Sequence, residues 1–415
     1  MKKVFKRLIA VLLSCFLFAL CVGCKPEETV APTEKEMGLV VTNGKLMQGD
    51  EVFYGAGINY FDLFTGIFNN KWDTSVPLKA LEVLKSYDCK VIRFCTLPFY
   101  GTQMGFYFEV EDVYWSKLDE IVKKCEELEI GLLPSLFWTF AIFDYYKEPY
   151  EEALKDKNSQ GMQFIREYTE KFVKRYAESP AIYGWEFSNE KILSSDLPGD
   201  EGKDTFFTVD GLNSVYKYFA ETVRANDPYG RFIATGDTQP RESQYNQWQN
   251  LNWTKDNEEQ HREVMELINP DPIDTVSQHQ YSLRSTLTPG DKTTTYFDTT
   301  TWKEFFEYLI DISSSMGKAC YVGEVGYGVD AGLGYENVTL EALTECYHAA
   351  ADAAFETKMQ LILFWNYDPK TRPTEEGLIY SQGTGVEYSY NENMPWGKMV
   401  LETMQSLNAR FENGE

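Results

Sequence analysis

Short apolar runs alternate with amphipathic stretches along most of the chain. The runs are typical of buried parallel strands, which carry apolar residues on both faces. Between them, apolar residues recur every three or four positions, which predicts helices. The predicted strands are 53–59, 90–94, 130–137, 182–188, 231–235, 273–279, 319–324 and 360–365. The predicted helices are 77–87, 115–128, 164–176, 212–225, 302–316, 340–355 and 396–407.

This continuous alternation predicts an α/β protein built as a single (β/α)₈ TIM barrel. Before the first barrel strand, Asn43-Gly44 lies between two short strand-like segments, which predicts a β-hairpin capping the bottom of the barrel. No linker-like stretch follows Leu39, so we assign residues 39–415 to one barrel domain.

The first residues form a basic head followed by the apolar run 8–22, a pattern typical of a secretory signal and too short for a membrane span. The run ends in Cys21-Val22-Gly23-Cys24, which resembles a bacterial lipoprotein box. We therefore predict a signal peptide at 1–23, a tether at 24–38 and anchoring to the bacterial cell envelope through a lipid on Cys24. Ordinary secretion stays open, because Cys21 stands where leucine is preferred.

The formal net charge of the chain is −25. Such a surface repels nucleic acid and polyanionic glycans, so we expect neither as a partner. The cysteines beyond Cys24 are odd in number and lack C-x-x-C spacing, which predicts buried free thiols. They are Cys89, Cys95, Cys125, Cys320 and Cys346. With only three histidines, we expect no multi-histidine metal site, no cofactor and a monomer.

Polar residues recur where the predicted strands end. The fourth run ends in Asn189-Glu190, at the end of a barrel strand where catalytic groups collect. Any such residue alone could be a cap or part of a salt bridge, but a shared strand end favours a site. Glu186, on the same strand, is interpreted as paired inside the barrel rather than as support for the site. The other strand-end candidates are Arg93, His279, Tyr281, Glu324 and Trp365.

With these motifs in this order, the chain resembles glycoside hydrolase family 5 and its clan of retaining barrel enzymes over roughly residues 40–410. The matching segments are Val-Ile-Arg-Phe at 91–94, Gly-Trp-Glu-Phe-Ser-Asn-Glu at 184–190, His-Gln-Tyr at 279–281, Gly-Glu-Val-Gly at 323–326 and Phe-Trp at 364–365. The resemblance implies that Glu190 is the acid/base and Glu324 the nucleophile of a double displacement.

The same resemblance implies the binding roles. Asn189 would bind the sugar 2-hydroxyl, and Arg93 and Tyr281 would contact the nucleophile. His279 would line the site beside the acid/base. Trp365 would form the floor of the subsite next to the cleaved bond.

One departure affects the expected substrate. The family usually has a histidine near the end of strand three, where this chain reads Ser-Leu-Phe-Trp-Thr at 135–139. Trp138 would replace a polar contact with a stacking one. Because some mannan-cleaving relatives carry a tryptophan in this loop, the resemblance favours β-mannan over β-1,4-glucan. The loops 191–210, 238–258, 282–300 and 367–395 follow strands and would flank the site. In the second of them, Tyr245, Trp248 and Trp253 are equally compatible with core packing and with sugar stacking.

Two functions follow as hypotheses. The first is a retaining β-glycoside hydrolase, of the mannan endo-1,4-β-mannosidase or cellulase type, acting on a neutral β-linked polysaccharide or oligosaccharide. The alternative is a non-catalytic glycan-binding lipoprotein on a degenerate barrel, suggested by the lipid anchor and the missing strand-three histidine.

Overall fold

Parallel strands form the centre of the fold. The computed structural model describes residues 36–250, 252–281, 301–327, 339–371 and 389–414. The strands in these ranges are β1 (Val40–Thr42), β2 (Lys45–Gln48), β3 (Glu51–Val52), β4 (Gly55–Asn59), β5 (Val91–Cys95), β6 (Gly131–Ser135), β7 (Gly184–Glu186), β8 (Phe232–Ala234), β9 (Thr275–Tyr281), β10 (Ala319–Gly326) and β11 (Leu361–Phe364).

Eight of these strands, β4 to β11, make one parallel sheet in the order β8-β7-β6-β5-β4-β11-β10-β9. The two edge strands of this sheet, β8 and β9, are connected by hydrogen bonds between Ile233 in β8 and Asp274, the residue before β9. The Ile233 backbone N–H donates to Asp274 Oδ1 at 2.9 Å, and the Asp274 backbone N–H donates to Ile233 O at 3.3 Å. The sheet is therefore a nearly closed barrel, and the predicted (β/α)₈ architecture is confirmed.

Helices surround the sheet. They are α1 (Ser75–Ser86), α2 (Gly105–Phe108), α3 (Glu111–Leu128), α4 (Ala141–Tyr146), α5 (Tyr150–Lys155), α6 (Gln160–Tyr176), α7 (Val209–Asn226), α8 (Gln244–Asn250), α9 (Glu258–Leu267), α10 (Trp302–Ser315), α11 (Leu340–Thr357) and α12 (Pro395–Asn413). Helix α9 is not among the predicted helices, although its start carries a capping box in which the Asn257 side chain accepts from the Gln260 backbone N–H. The predicted loop 238–258 also contains α8. Among the described helices, none has the length and apolarity that a bilayer crossing requires.

The predicted hairpin is confirmed and closes the bottom of the barrel. Strands β1 and β2 pair antiparallel around Asn43 and Gly44. Leu39, Leu46 and Phe53 pack into one buried cluster with inward-facing strand residues. Each such side chain contributes about 1.5–3 kcal/mol by leaving water, so the hairpin is part of the barrel core.

The predictions about cysteine are also confirmed in the described residues. Cys89, Cys95, Cys125, Cys320 and Cys346 are all buried, and none forms a disulfide within the described residues. Burial raises the pKa of the Cys89 thiol to about 12, so the side chain behaves as a small apolar group. The predicted signal peptide, Cys24 and the loop 282–300 lie outside the described residues.

Candidate active site

The carboxyl end of the barrel gathers all of the predicted site residues into one cluster with direct contacts. Strand bounds differ from the predicted ones in ways that matter here. Strand β7 ends at Glu186 rather than at residue 188, so Asn189 and Glu190 lie in the loop beyond it. Strand β10 continues to Gly326, so Glu324 lies within a strand rather than at its end.

Arg93 connects the cluster. Its Nε donates to both carboxylate oxygens of Glu186, at 2.8 and 2.9 Å. Its Nη1 donates to Glu324 Oε1 at 2.8 Å and to Asn59 Oδ1 at 3.1 Å, and its Nη2 donates to Asn189 Oδ1 at 2.9 Å. Burial opposes the charged form, but the two carboxylates hold the pKa of Arg93 above its ordinary value. The guanidinium is therefore a permanent, fully buried cation.

An irregularity in β10 aims Glu324 into the barrel. Tyr321 faces the interior and Val322 packs towards the helices, so strict alternation would turn Glu324 outward. The register with β9 shifts between Val322 and Glu324, which resets the alternation as a β-bulge does. Glu324 Oε1 then accepts from Arg93, and Oε2 accepts from the Tyr281 hydroxyl. The side chain is 4% exposed.

Glu190 is held in an uncommon backbone conformation. Its φ of 51° and ψ of 34° lie in the left-handed region, which costs a non-glycine residue energy and persists only where neighbours fix it. Its backbone N–H donates to Gly236 O at 3.1 Å. The Ile192 backbone N–H donates to Asp237 Oδ1 at 2.9 Å. These bonds to the segment after β8 direct the Glu190 side chain towards Glu324 while leaving it 29% exposed.

His279 lies between the two glutamates. Its Nδ1 is 2.8 Å from Glu190 Oε1 and 3.5 Å from Glu324 Oε1. Burial lowers the pKa of His279 to about 4, so the ring is neutral near pH 7. The contact with Glu190 is therefore a hydrogen bond that shares one proton.

The environment favours one proton on the carboxyl pair. Burial raises the pKa of both Glu190 and Glu324. The negative charge of Glu190 raises the pKa of Glu324 further, whereas His279 and Arg93 lower it. Since Glu324 accepts a hydrogen bond from the buried cation Arg93, its charged form is stabilised, and we assign the proton to Glu190. The arrangement can thus present an acid and a carboxylate to one bound molecule.

The same three side chains are the group of possible metal ligands in the described part of the chain. One donor atom each from Glu190, His279 and Glu324 lies within 4.8 Å of the other two. Both oxygens of Glu324 already accept hydrogen bonds, and the buried guanidinium of Arg93 touches one of them. A divalent cation there would face this positive charge at close range, so the donor set suits proton transfer better than metal binding.

Aromatic rings line the mouth beside the carboxyl pair. The Trp138 ring centroid lies 4.5 Å from Arg93 Cζ, and Trp138 is 6% exposed. It stacks on Trp365 with centroids 6.2 Å apart at 29°. Phe61 stacks on Trp365 at 5.9 Å and 20°. Trp138 thus shields the guanidinium from water by a cation–π contact, while the partly exposed Trp365 is left to face a ligand.

The loop after β8 presents one aromatic ring to solvent. Trp253 is 62% exposed. Trp248 is partly buried and donates through Nε1 to Asp210 Oδ2 at 3.2 Å, and its ring contacts Tyr245 edge-on at 5.8 Å. Core packing therefore accounts for Tyr245 and Trp248, and Trp253 remains the candidate for sugar stacking.

Two members of the cluster are absent from the predicted site residues, and a third, Glu186, is predicted only as a residue paired inside the barrel. Asn59 ends β4, and its Nδ2 also donates to Gly323 O at 2.8 Å. Asn59 could have been found by the criterion used for the other strands, which is a polar residue at a strand end. Tyr321 lies inside an apolar run and gave no such signal. Glu186 is paired inside the barrel as predicted, but its partner Arg93 makes it part of the site.

Comparison with known proteins adds structural neighbours only, since neither a family model nor a curated protein matches the sequence. The endo-1,4-β-mannanase from Rhizomucor miehei superposes with a TM-score of 0.61 and 14% identity, covering 90% of this chain and 99% of that chain. The endo-β-1,4-mannanase from Thermotoga petrophila gives 0.58 and 15%, covering 88% and 78%. A glycoside hydrolase family 5 mannosidase from Rhizomucor miehei gives 0.60 and 12%, covering 91% and 98%. The chain therefore shares the (β/α)₈ fold of these enzymes along most of its length.

Proposed function

We propose that this chain is a retaining β-glycoside hydrolase of the family 5 type, with β-mannan as the favoured substrate and β-1,4-glucan as the next candidate. The observation that carries the proposal is the close pairing of Glu190 and Glu324, whose nearest donor atoms lie within 4.8 Å. Retaining enzymes hold their two carboxyls about 5–5.5 Å apart, whereas inverting enzymes leave room for a water between them.

The first half-reaction uses the two side chains in different roles. Glu324 attacks the anomeric carbon and forms a covalent ester, while the bond from that carbon to the leaving oxygen breaks. Glu190 gives its proton to the leaving oxygen as the bond breaks. Arg93 and Tyr281 each hold one oxygen of Glu324, which fixes the direction of attack.

The second half-reaction reverses the proton transfer. Once Glu324 is an ester it carries no charge, so no neighbouring anion on Glu324 opposes the ionisation of Glu190. Glu190 then removes a proton from the attacking water, and Glu324 leaves as a carboxylate. Two inversions at the anomeric carbon give net retention.

The preference for mannan rests on two weaker supports. The superposed enzymes are described as mannanases and a mannosidase. In addition, Trp138 occupies the position where the resembled family usually has a histidine, and it stacks on Trp365. The binding-protein alternative is less favoured, because burying two carboxyls and a guanidinium is costly and a binding protein gains nothing from an acid/base pair.

The proposal is tested by the anomeric form of the first product. We expect purified protein to shorten mannan oligosaccharides and to release reducing ends that are initially β, because double displacement retains configuration. Proton NMR during the first minutes distinguishes β from α before mutarotation. Glucomannan and cellulose oligosaccharides serve as the comparison set. A first product in the α form would contradict the mechanism, and unchanged oligosaccharides throughout would favour the binding protein.

We further propose that the enzyme is secreted, is held at the bacterial envelope by a lipid on Cys24 and works as a monomer. Replacing Cys24 with Ala is expected to move the protein from the membrane fraction to the medium or the soluble fraction, because the acceptor thiol is lost. A Cys21→Ala variant removes a thiol three positions away and should stay membrane-bound. A Cys24→Ala protein that still sediments with membranes would contradict lipidation at this residue.

A further inference from the structure

A second carboxylate holds Arg93 from inside the barrel. Glu186 is fully buried and accepts from Arg93 Nε with both oxygens, at 2.8 and 2.9 Å. The hydroxyl of Tyr321, also fully buried, donates to Glu186 Oε2. Glu186 is the last residue of β7 and precedes Glu190, which lies in the loop beyond, while Tyr321 precedes Glu324 within β10. Both therefore lie deeper in the barrel than the carboxyl pair, and neither is placed to touch a sugar.

The charges of Arg93, Glu186 and Glu324 do not cancel. Arg93 is one cation between two carboxylates, Glu186 and Glu324, and its Nη1 donates to the second at 2.8 Å. A buried carboxylate is stable only when charge and hydrogen bonds compensate it. At Glu324 the effects of the two neighbours add: the positive charge of Arg93 stabilises the carboxylate, and the like charge of Glu186 offsets part of that stabilisation. Tyr321 affects the size of this offset, because its donated hydrogen bond stabilises the charge on Glu186 independently of Arg93.

We propose that Glu186 and Tyr321 are positioning residues that orient Arg93 and offset part of its positive charge, and so set how strongly Arg93 stabilises the charged nucleophile. The inference rests on the proposed hydrolase function. Residues deep in the barrel then belong to the site, because they would affect the pKa of the nucleophile without contacting the substrate.

The proposal requires opposite effects from two substitutions. In Glu186→Gln, the negative charge that offsets Arg93 is lost, so less repulsion opposes the ionisation of Glu324. The pKa of Glu324 then falls, and the acid limb of kcat/KM moves to lower pH by about one unit. In Tyr321→Phe, Glu186 loses a donor and its negative charge acts more strongly on its neighbours. The pKa of Glu324 then rises, and the acid limb moves the other way by a smaller amount.

The experiment measures kcat/KM against pH on one mannan oligosaccharide for the wild type and both variants. Tyr107→Phe is the matched control. Tyr107 is buried, lies away from the site, and donates a hydrogen bond of 2.6 Å to Glu111 Oε1. This substitution removes the same kind of hydrogen bond and should leave the acid limb in place. Thermal unfolding of each variant shows how much stability each change removes.

Opposite shifts with an unmoved control support the proposal. Shifts in one direction, or no shift in an active Tyr321→Phe protein, overturn it, because a structural role changes the amount of folded enzyme and not its titration. If Glu186→Gln fails to fold, the direction of the Tyr321→Phe shift alone decides. A wild type that cleaves no oligosaccharide would instead refute the hydrolase function, so the two failures are distinguishable.

Discussion

Replacing Glu324 with Gln is expected to lower kcat on mannan oligosaccharides by roughly 10⁴-fold or more, because no covalent intermediate can form without the nucleophile. The fold should persist. The amide oxygen can still accept from Arg93 Nη1, and the side chain occupies the same volume beside Tyr281. Steady-state kinetics and thermal unfolding on the same preparation separate loss of chemistry from loss of structure.

A smaller substitution gives the assignment a chemical signature. In Glu324→Ala the space left beside the anomeric carbon can admit azide, which would attack from the nucleophile's side and give an α-glycosyl azide from an activated β-glycoside. Glu111→Gln serves as the control, since Glu111 is a hydrogen-bonded carboxylate outside the site and should keep wild-type turnover. Turnover within a few-fold of wild type in Glu324→Gln would refute the nucleophile role.

Replacing Glu190 with Gln is expected to have an effect that depends on the leaving group. On mannan oligosaccharides, whose leaving alcohol must be protonated, kcat should fall by about 10²–10⁴-fold. On an aryl mannoside with an acidic phenol, the first step needs no proton and should proceed. The glycosyl-enzyme should then accumulate, because the base that activates water is also missing. A burst of phenol followed by slow turnover is the expected trace.

Two further observations check the same residue. Azide should accelerate turnover of Glu190→Gln and give a β-glycosyl azide, the opposite anomer to that from Glu324→Ala, because here azide replaces water. The basic limb of the pH profile should also disappear. In the wild type that limb reports loss of the proton from Glu190, whose pKa burial raises. Equal losses on both kinds of substrate would contradict an acid/base role.

Much of the fold could be predicted from sequence because strand and helix patterns are local. Each apolar run predicted a barrel strand that the structure contains, and Asn43-Gly44 marked the hairpin between β1 and β2. Strand ends were less accurate. Strand β7 is shorter than its apolar run, because the apolar pattern continues to Phe187, which packs in the core beyond the last residue of the strand. Helix α9 was missed because the stretch after residue 258 is rich in polar residues.

Part of the site, too, could be predicted from the sequence, and part could not. The motifs in the sequence were sufficient to nominate Glu190, Glu324, Arg93, His279 and Tyr281, since each lies at or near the carboxyl end of its strand. Sequence alone also determined that the chain is acidic, rich in aromatic residues and poor in histidine. These are properties of residue type and order, and folding does not alter them.

Only the tertiary structure decided which of these residues touch. Closure of the barrel brings Glu190 and Glu324 together from distant parts of the chain, and the bulge in β10 turns Glu324 inward against simple alternation. The position of Trp138 over Arg93 and the bond from Tyr321 to Glu186 likewise depend on neighbouring strands. The physical reason is that a sequence pattern records the environment of one segment, whereas distances between strand ends and the sharing of one buried charge are set by how all the strands pack.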